Sequence, residues 1–305
     1  MRVLFMGTPD FAVNSLAAVF EAGFEICGVY TQPDKPRNRG QQYSFSPVKE
    51  YALSKGLSVY QPTSIKNPDE ISRLKALAPD IVVVVAYGKF LTSEILEIPP
   101  LGVINVHGSL LPQYRGSAPI QWSVLRGEKE TGVATMYMAL KMDSGDVIDT
   151  APTPIGEDET FGELYDRLKV LGAELLIKTL TDIQNGHIKR FPQDESLVTF
   201  APPIQKEDCP IDWQKSADTV VNKVRGLNPK PCATARLGGT DFKIYQAKKT
   251  DKTTQAEPGM IVLADKHGLE VACGNGETVL VTELQASGGK RMSATSYLLG
   301  HKIEN

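Results

Sequence analysis

The sequence predicts an α/β protein in two parts: a mostly parallel sheet covered by helices, then a smaller C-terminal β-barrel domain. Three observations lead there. Val- and Ile-rich runs alternate with amphipathic helical patterns through the first two thirds of the chain. Runs such as "IVVVVAYG" are continuously apolar, as in strands buried on both faces. After about residue 209 the pattern changes to short strands separated by Gly, Asp and Lys turns.

Arg2 to Met6 reads as a strand, Pro9 to Ala22 as a helix with Phe11, Leu16, Val19 and Phe20 on one side, and Phe24 to Tyr30 as a second strand. An irregular basic stretch follows, then a helix near Pro47 to Lys55, a short strand near Val59, a helix near Pro68 to Ala78 and strands at Ile81 to Gly88 and Val103 to His107. "ETGVATMYMAL" and "GDVIDTAPTPI" read as two more strands, and Phe161 to Ile183 as a long helix that closes the domain. The expected division is therefore a catalytic domain over 1–184, a Pro- and charge-rich linker over 185–208 and the barrel over 209–305. In the barrel, "FKIYQA", "GMIVLAD", "LEVACG" and "TVLVTELQ" are the strands. The chain shows no internal repeat or low-complexity tract.

At 305 residues, each part is large enough to bury a core. With 41% apolar and 23% charged residues, bulk disorder is not expected. "MRVLFMGTPDF" is too short an apolar run for a signal peptide or a membrane span, and four scattered cysteines without a CxxC pair argue against a disulfide framework or a zinc site. A reducing cytoplasm and no membrane association are the expectation. The net charge of −3 conceals an asymmetry: residues 201–305 hold 14 basic against 12 acidic residues, and residues 1–200 hold 19 against 24. A mildly basic C-terminal face is compatible with a polyanionic partner.

The chemistry concentrates in "GVINVHGSLLPQYRGSAPIQW". Asn105 and His107 stand two apart at the end of a buried strand, so both point to one face, in the crevice where open α/β sheets bind ligands. An imidazole can donate to a developing negative charge or move a proton, and the Asn amide can help to bind an oxyanion. The alternative is a polar pair that only satisfies loop backbone. "LKMDSGDVI" adds Asp143 in a Gly-containing turn, where an acid can be brought opposite the histidine. "MGTPDF" lacks GxGxxG; Gly7 and Thr8 shape a tight turn, and no dinucleotide is inferred.

"HGSLLPQYRG" followed some two dozen residues later by "MDSGDVI" resembles the signature pair of the folate-dependent formyltransferases. The resemblance runs through "FMGTPDFAV", "VYTQPDKPRNRGQQYSFSPVKEYA", "VVVVAYGKFL", "ETGVATMYM", "LVTFAPPIQKEDCPIDW" and "GLNPKPCATA", and is closest to the branch that acts on methionyl initiator tRNA. It implies a Rossmann-like formyltransferase domain with an OB-like C-terminal tRNA-binding domain. The implied reaction transfers a formyl group from 10-formyltetrahydrofolate to the α-amine of methionine on initiator tRNA, for translation initiation, with no metal and by a monomer.

On this resemblance the catalytic triplet falls on Asn105, His107 and Asp143. Ser109, Leu110, Leu111 and Pro112 line the folate site, and Tyr87 and Gly88 wall its pterin pocket, although core packing is an equal reading for either leucine alone. Lys35, Arg37 and Arg39 in the basic loop and Lys206 in the linker correspond to tRNA-contacting positions; a merely solvated loop is the ordinary alternative for the three cations. The chain departs from the family in reading "NPKPCA" for the usual "NPWPGA", at Lys230 and Cys232. Glycinamide ribonucleotide formyltransferase, sugar-nucleotide (amino-arabinose) formyltransferases and formyltetrahydrofolate hydrolase or dehydrogenase modules share the motif; the second domain counts against the first, and the basic loop favours tRNA. A noncatalytic tRNA-binding protein would make the triplet a coincidence.

Overall fold

The computed structural model describes residues 1–37 and 42–303. They form two compact units. The first comprises 1–116, 132–153 and 165–200; the second comprises 117–131, 154–164 and the chain from 201 onward.

In chain order the first part contains β1 (Arg2–Gly7), α1 (Asp10–Glu21), β2 (Glu25–Tyr30), β3 (Lys35–Arg37), β4 (Gln42–Ser44), α2 (Pro47–Ser54), β5 (Val59–Tyr60), α3 (Pro68–Leu77), β6 (Ile81–Val85), α4 (Ser93–Leu96) and β7 (Val103–His107). Then come β8 (Arg115–Gly116), α5 (Pro119–Leu125), β9 (Glu130–Tyr137), β10 (Val147–Pro154), α6 (Phe161–Gln184) and β11 (Phe200–Ala201). The main sheet has the order β10-β9-β7-β6-β1-β2-β5. From β5 to β7 it is parallel, and β9 runs antiparallel to β7. β6 and β7 are buried at every residue, which is why their sequences are unbroken apolar runs.

Both faces are covered. Leu4, Met6, Val82 and Val84 pack with Ile71 and Leu74 of α3. On the opposite face α6 crosses at Gly172, where an added Cβ would stand 3.1 Å from Val106 Cγ1. Gly7 has a similar reason: an added Cβ would lie 2.7 Å from the Ala12 Cβ of α1 and 3.0 Å from the Val85 carbonyl. The strand order reverses between β1 and β6, so the crevice lies at their carboxyl ends. There Thr8 Oγ1 and Gln32 Nε2 both donate to the Tyr87 carbonyl, at 3.2 and 2.9 Å.

The second unit continues with α7 (Ala217–Leu227), β12 (Ala233–Leu237), β13 (Thr240–Thr253), β14 (Ile261–Asp265), β15 (Gly268–Ala272), β16 (Glu277–Ala286), β17 (Met292–Ser293) and α8 (Ala294–Gly300). Its sheet is antiparallel, in the linear order β12-β13-β16-β15-β14 with β17 on β16. This antiparallel sheet domain stands where the sequence predicted a small barrel. Its core joins Val220, Val224 and Leu227 of α7 to Phe242, Ile244, Leu269, Val279 and Leu284 of the sheet.

The sequence reading placed no helices at α5, α7 and α8. α5 and α8 have seven residues each, too few to show a period, whereas α7 does carry Val220, Val224 and Leu227 at helical spacing. α5 packs against α7, with Leu125 seated over Gly226, where a Cβ would meet the leucine at 2.8 Å. The expected contiguous division therefore differs from the observed units. The stretch read as a linker is shared: 185–200 is hydrogen-bonded into the first unit and the rest belongs to the second.

Glu277 ties the start of α7 to the sheet. Its Oε2 accepts from Ala217 N at 2.8 Å and its Oε1 faces Lys249 Nζ at 2.7 Å. The Lys249 ammonium first, and the helix amide second, hold this carboxyl below the ordinary glutamate value of 4.5. A depressed carboxylate contributes stability that is complete above the unfolded value and is lost as pH falls through the folded one. Thermal melting of the wild type is therefore expected to decline below about pH 4.5, and Glu277→Gln should lower the midpoint at pH 7 and flatten that decline. Parallel curves for both proteins would disprove the linkage.

Among the described residues no helix is long and apolar enough to cross a membrane.

Candidate active site

β7 brings two polar side chains into an otherwise apolar layer. Asn105 is paired with Val84 on one side and Met136 on the other, and His107 with Ala134. Asn105 is 9% exposed and His107 5%. Among the described residues the Asn105 amide has no hydrogen-bonding partner, so its donors remain open to a ligand.

The His107 ring is held from one side. Its Nε2 lies 2.9 Å from the Tyr114 carbonyl. A carbonyl oxygen only accepts, so Nε2 carries a proton, and in the neutral ring Nδ1 is the acceptor. Nδ1 faces Asp143 Oδ2 at 3.8 Å, beyond direct hydrogen-bond range. In the neutral ring both atoms are acceptors, and a proton on Nδ1 makes the contact an ion pair.

Asp143 reaches this position in an unusual backbone conformation, with φ +49°. Gly116 N donates to its Oδ2 at 2.8 Å. Gly145, two residues on, is pressed onto β9: an added Cβ would stand 1.8 Å from the Tyr137 carbonyl oxygen. Tyr137 N in turn donates to the Asp146 carbonyl at 2.9 Å.

The remaining predicted residues separate. Ser109 is fully buried and its hydroxyl donates to the Gln113 carbonyl at 2.6 Å, closing the loop after β7. Leu111 packs with Ala134, Met136 and Val147, while Leu110 is half-buried against Gly132, and Pro112 is half-buried. Tyr87 turns its ring into the core beside Leu4, Met6 and Tyr30, and burial pushes its phenol up from the ordinary value. Its contribution at the crevice is its main chain, followed by exposed Gly88 at φ +80°. Lys35 and Arg37 lie on β3, paired with β4 as a hairpin; Arg39 lies outside the described residues. Lys206 is exposed and opens a single 3-10 turn in the second unit. At the departure from the family pattern, Cys232 holds φ +78°, a backbone conformation suited to the glycine usual there.

Sequence reasoning missed the residues behind Asp143. Arg115 is fully buried, with Nε 3.0 Å from Gln193 Oε1 and Nη2 2.8 Å from Glu195 Oε1. Arg115 first, and Lys141 second, lower the Glu195 carboxyl to about 2. Nothing in "RFPQDESLV" other than its polarity marks Gln193 as part of this network. A groove of about 640 Å³ in the second unit, lined by Trp213, Arg236, Phe242, Lys243 and Gln285 among others, contains none of the predicted catalytic residues.

Residues 1–180 match the formyl transferase family, and residues 203–302 match the formyl transferase C-terminal domain. A methionyl-tRNA formyltransferase from Trichlorobacter lovleyi is 45% identical over 302 residues, covering 99% of this chain and 95% of that protein. Two solved structures share the fold at lower identity. An N-formyltransferase from Helicobacter canadensis, in complex with folinic acid and dTDP-3-aminofucose, has a TM-score of 0.70 at 20% identity, covering 92% of this chain and 98% of that one. HypX from Aquifex aeolicus, in complex with tetrahydrofolic acid, has a TM-score of 0.68 at 18% identity; all of this chain aligns with 48% of HypX. With its family match over more than half its length and a relative of 45% identity along nearly all of it, the chain belongs to the formyl transferase family.

Proposed function

We propose that this enzyme transfers a formyl group from 10-formyltetrahydrofolate to the α-amine of methionine carried by initiator tRNA. The observation that carries this reading is the seating of His107 against Asp143 at the carboxyl end of β7, with the unpartnered Asn105 amide on the same strand. The near-full-length likeness to a methionyl-tRNA formyltransferase supports the acceptor.

The attacking amine must be neutral, and negative charge grows on the formyl oxygen as the new C–N bond forms. Asn105 donates from its amide, and His107, protonated or hydrogen-bonding, from its ring, to that oxygen. Asp143 orients and charge-stabilises the imidazole and, through water, helps to move the proton lost by the amine toward the departing nitrogen of the folate. The net change is one amide bond made and one broken, with no redox partner. The loop from Ser109 to Pro112, with apolar Leu110 and Leu111, and the main chain at Tyr87 and Gly88 are assigned to the folate, since a flat pterin suits an apolar slot edged with backbone groups. Lys35, Arg37 and Arg39 of the basic stretch, together with Lys206 and the C-terminal domain, are assigned to the tRNA. Because charged tRNA is the acceptor, the enzyme is assigned to the cytoplasm, acting as a monomer.

The test is an acceptor comparison with purified protein and 10-formyltetrahydrofolate. Formylated product is expected from methionyl initiator tRNA, with far less from methionyl elongator tRNA and none from an amino-sugar nucleotide. Product from the sugar nucleotide alone would overturn the assignment.

A further inference from the structure

We propose that Gln193 is a positioning residue that holds the Asp143 loop in its reactive conformation, anchored by the buried Arg115; this rests on the catalytic role given above to Asp143. The side-chain amide of Gln193 spends both N–H donors on that loop, to the Asp143 carbonyl at 2.8 Å and the Gly145 carbonyl at 2.7 Å. Its Oε1 accepts from Arg115 Nε at 3.0 Å. Every hydrogen-bonding arm of the amide but one lone pair is thus used, which fixes its orientation.

The loop requires such a hold. Asp143 is a non-glycine residue at φ +49°, a region L side chains seldom occupy, and Gly145 is wedged against Tyr137. Short polar loops in strained conformations relax unless neighbouring groups over-determine them. Gln193 acts on the two carbonyls that bracket the turn, which is where a rotation about Asp143 would begin.

Arg115 makes the clamp part of the same frame as His107. Its own N–H donates to the Thr199 carbonyl at 2.9 Å, and the preceding Tyr114 N donates to Thr199 Oγ1 at 2.8 Å. Tyr114 accepts from the His107 ring, and Gly116 donates to the Asp143 carboxylate. Residues 114–116 therefore set the imidazole from one end and the carboxylate from the other, while the Arg115 side chain sets the Gln193 amide. A fully buried guanidinium is a rigid anchor, because its planar fork fixes the direction of each donor.

The test is a double-mutant cycle on steady-state formyl transfer. Gln193→Met keeps the length and volume of the side chain without its donors. Gln193→Glu keeps the acceptor for Arg115 and faces the loop carbonyls with an oxygen, so it retains the anchor and loses the clamp. Both are expected to lower kcat about 10- to 100-fold, with KM for tRNA and formyl donor within about 3-fold and melting within a few degrees of wild type. In an Asp143→Asn background the same substitutions should cost less than about 3-fold, because the group they position is already gone. Equal losses in both backgrounds, or near-wild-type kcat in the single variants beside an inactive Asp143→Asn, would overturn the clamp alone. A fully active Asp143→Asn would overturn the catalytic reading and the clamp with it.

Discussion

His107→Ala and Asp143→Asn are each expected to lower kcat by about 10² to 10⁴, the range of a lost acid–base or oxyanion-stabilising group, while leaving melting within a few degrees. The two act differently. Alanine at 107 removes the imidazole and its hydrogen bond to the Tyr114 carbonyl. Asparagine at 143 keeps the shape, and its carbonyl can still accept from Gly116 N. The same oxygen then faces the His107 Nδ1, but without the negative charge of the carboxylate. Asp143→Asn should therefore lose rate with little change in the KM of either substrate. Retention of kcat within about 3-fold in either purified variant, measured by steady-state formylation, contradicts the mechanism.

Gly145→Ala should be nearly as damaging without touching any reacting group. The new methyl would fall 1.8 Å from the Tyr137 carbonyl oxygen, where real Cβ contacts stay beyond 3.0 Å, and that oxygen belongs to a strand end fixed on β7. The loop must lift, carrying Asp143 away from His107; a displacement of about 1 Å at a reacting centre costs roughly 10²-fold. The same movement stretches both Gln193 bonds and the Tyr137–Asp146 bond. A destabilisation of about 1–3 kcal/mol is expected from overpacking, enough to move the melting midpoint by several degrees. Activity measured well below that midpoint separates the two effects. A fully active Gly145→Ala would show that the loop adopts its working conformation without this wedge.

The catalytic pair was legible because its signals are local. Asn105 and His107 break a continuous apolar run at its last residues, and strand alternation alone puts them on one face. The unbroken runs in β1, β6 and β7 likewise report burial on both sides, so the parallel sheet could be read directly. Asp143 was legible as an acid in a Gly-containing turn between two strands, but not in its exact place. Its position opposite the imidazole depends on the crossing of β9 and on a backbone angle that no residue preference announces.

Other features had little local signature. α5 and α8, at seven residues each, are too short for a period to show, while the Val220, Val224 and Leu227 stripe of α7 is legible in the sequence. Tyr87 was read as a wall of the pterin pocket, yet its ring faces the core, because the turn after β6 directs the side chain beneath the strand and leaves the main chain at the crevice. The stretch 185–200 reads as linker by composition, since Pro, Gln, Asp and Glu are what loops contain.

By itself the sequence determined the class of fold and the family and pointed to the residues proposed for catalysis, since each is written in runs of neighbouring residues. Only the tertiary structure decided which nitrogen of His107 is held, how Asp143 is bent toward it and that a buried Arg115 and Gln193 stand behind that bend. These depend on contacts between residues from 7 to 80 positions apart, made by side chains whose neighbours exist only after the chain has folded.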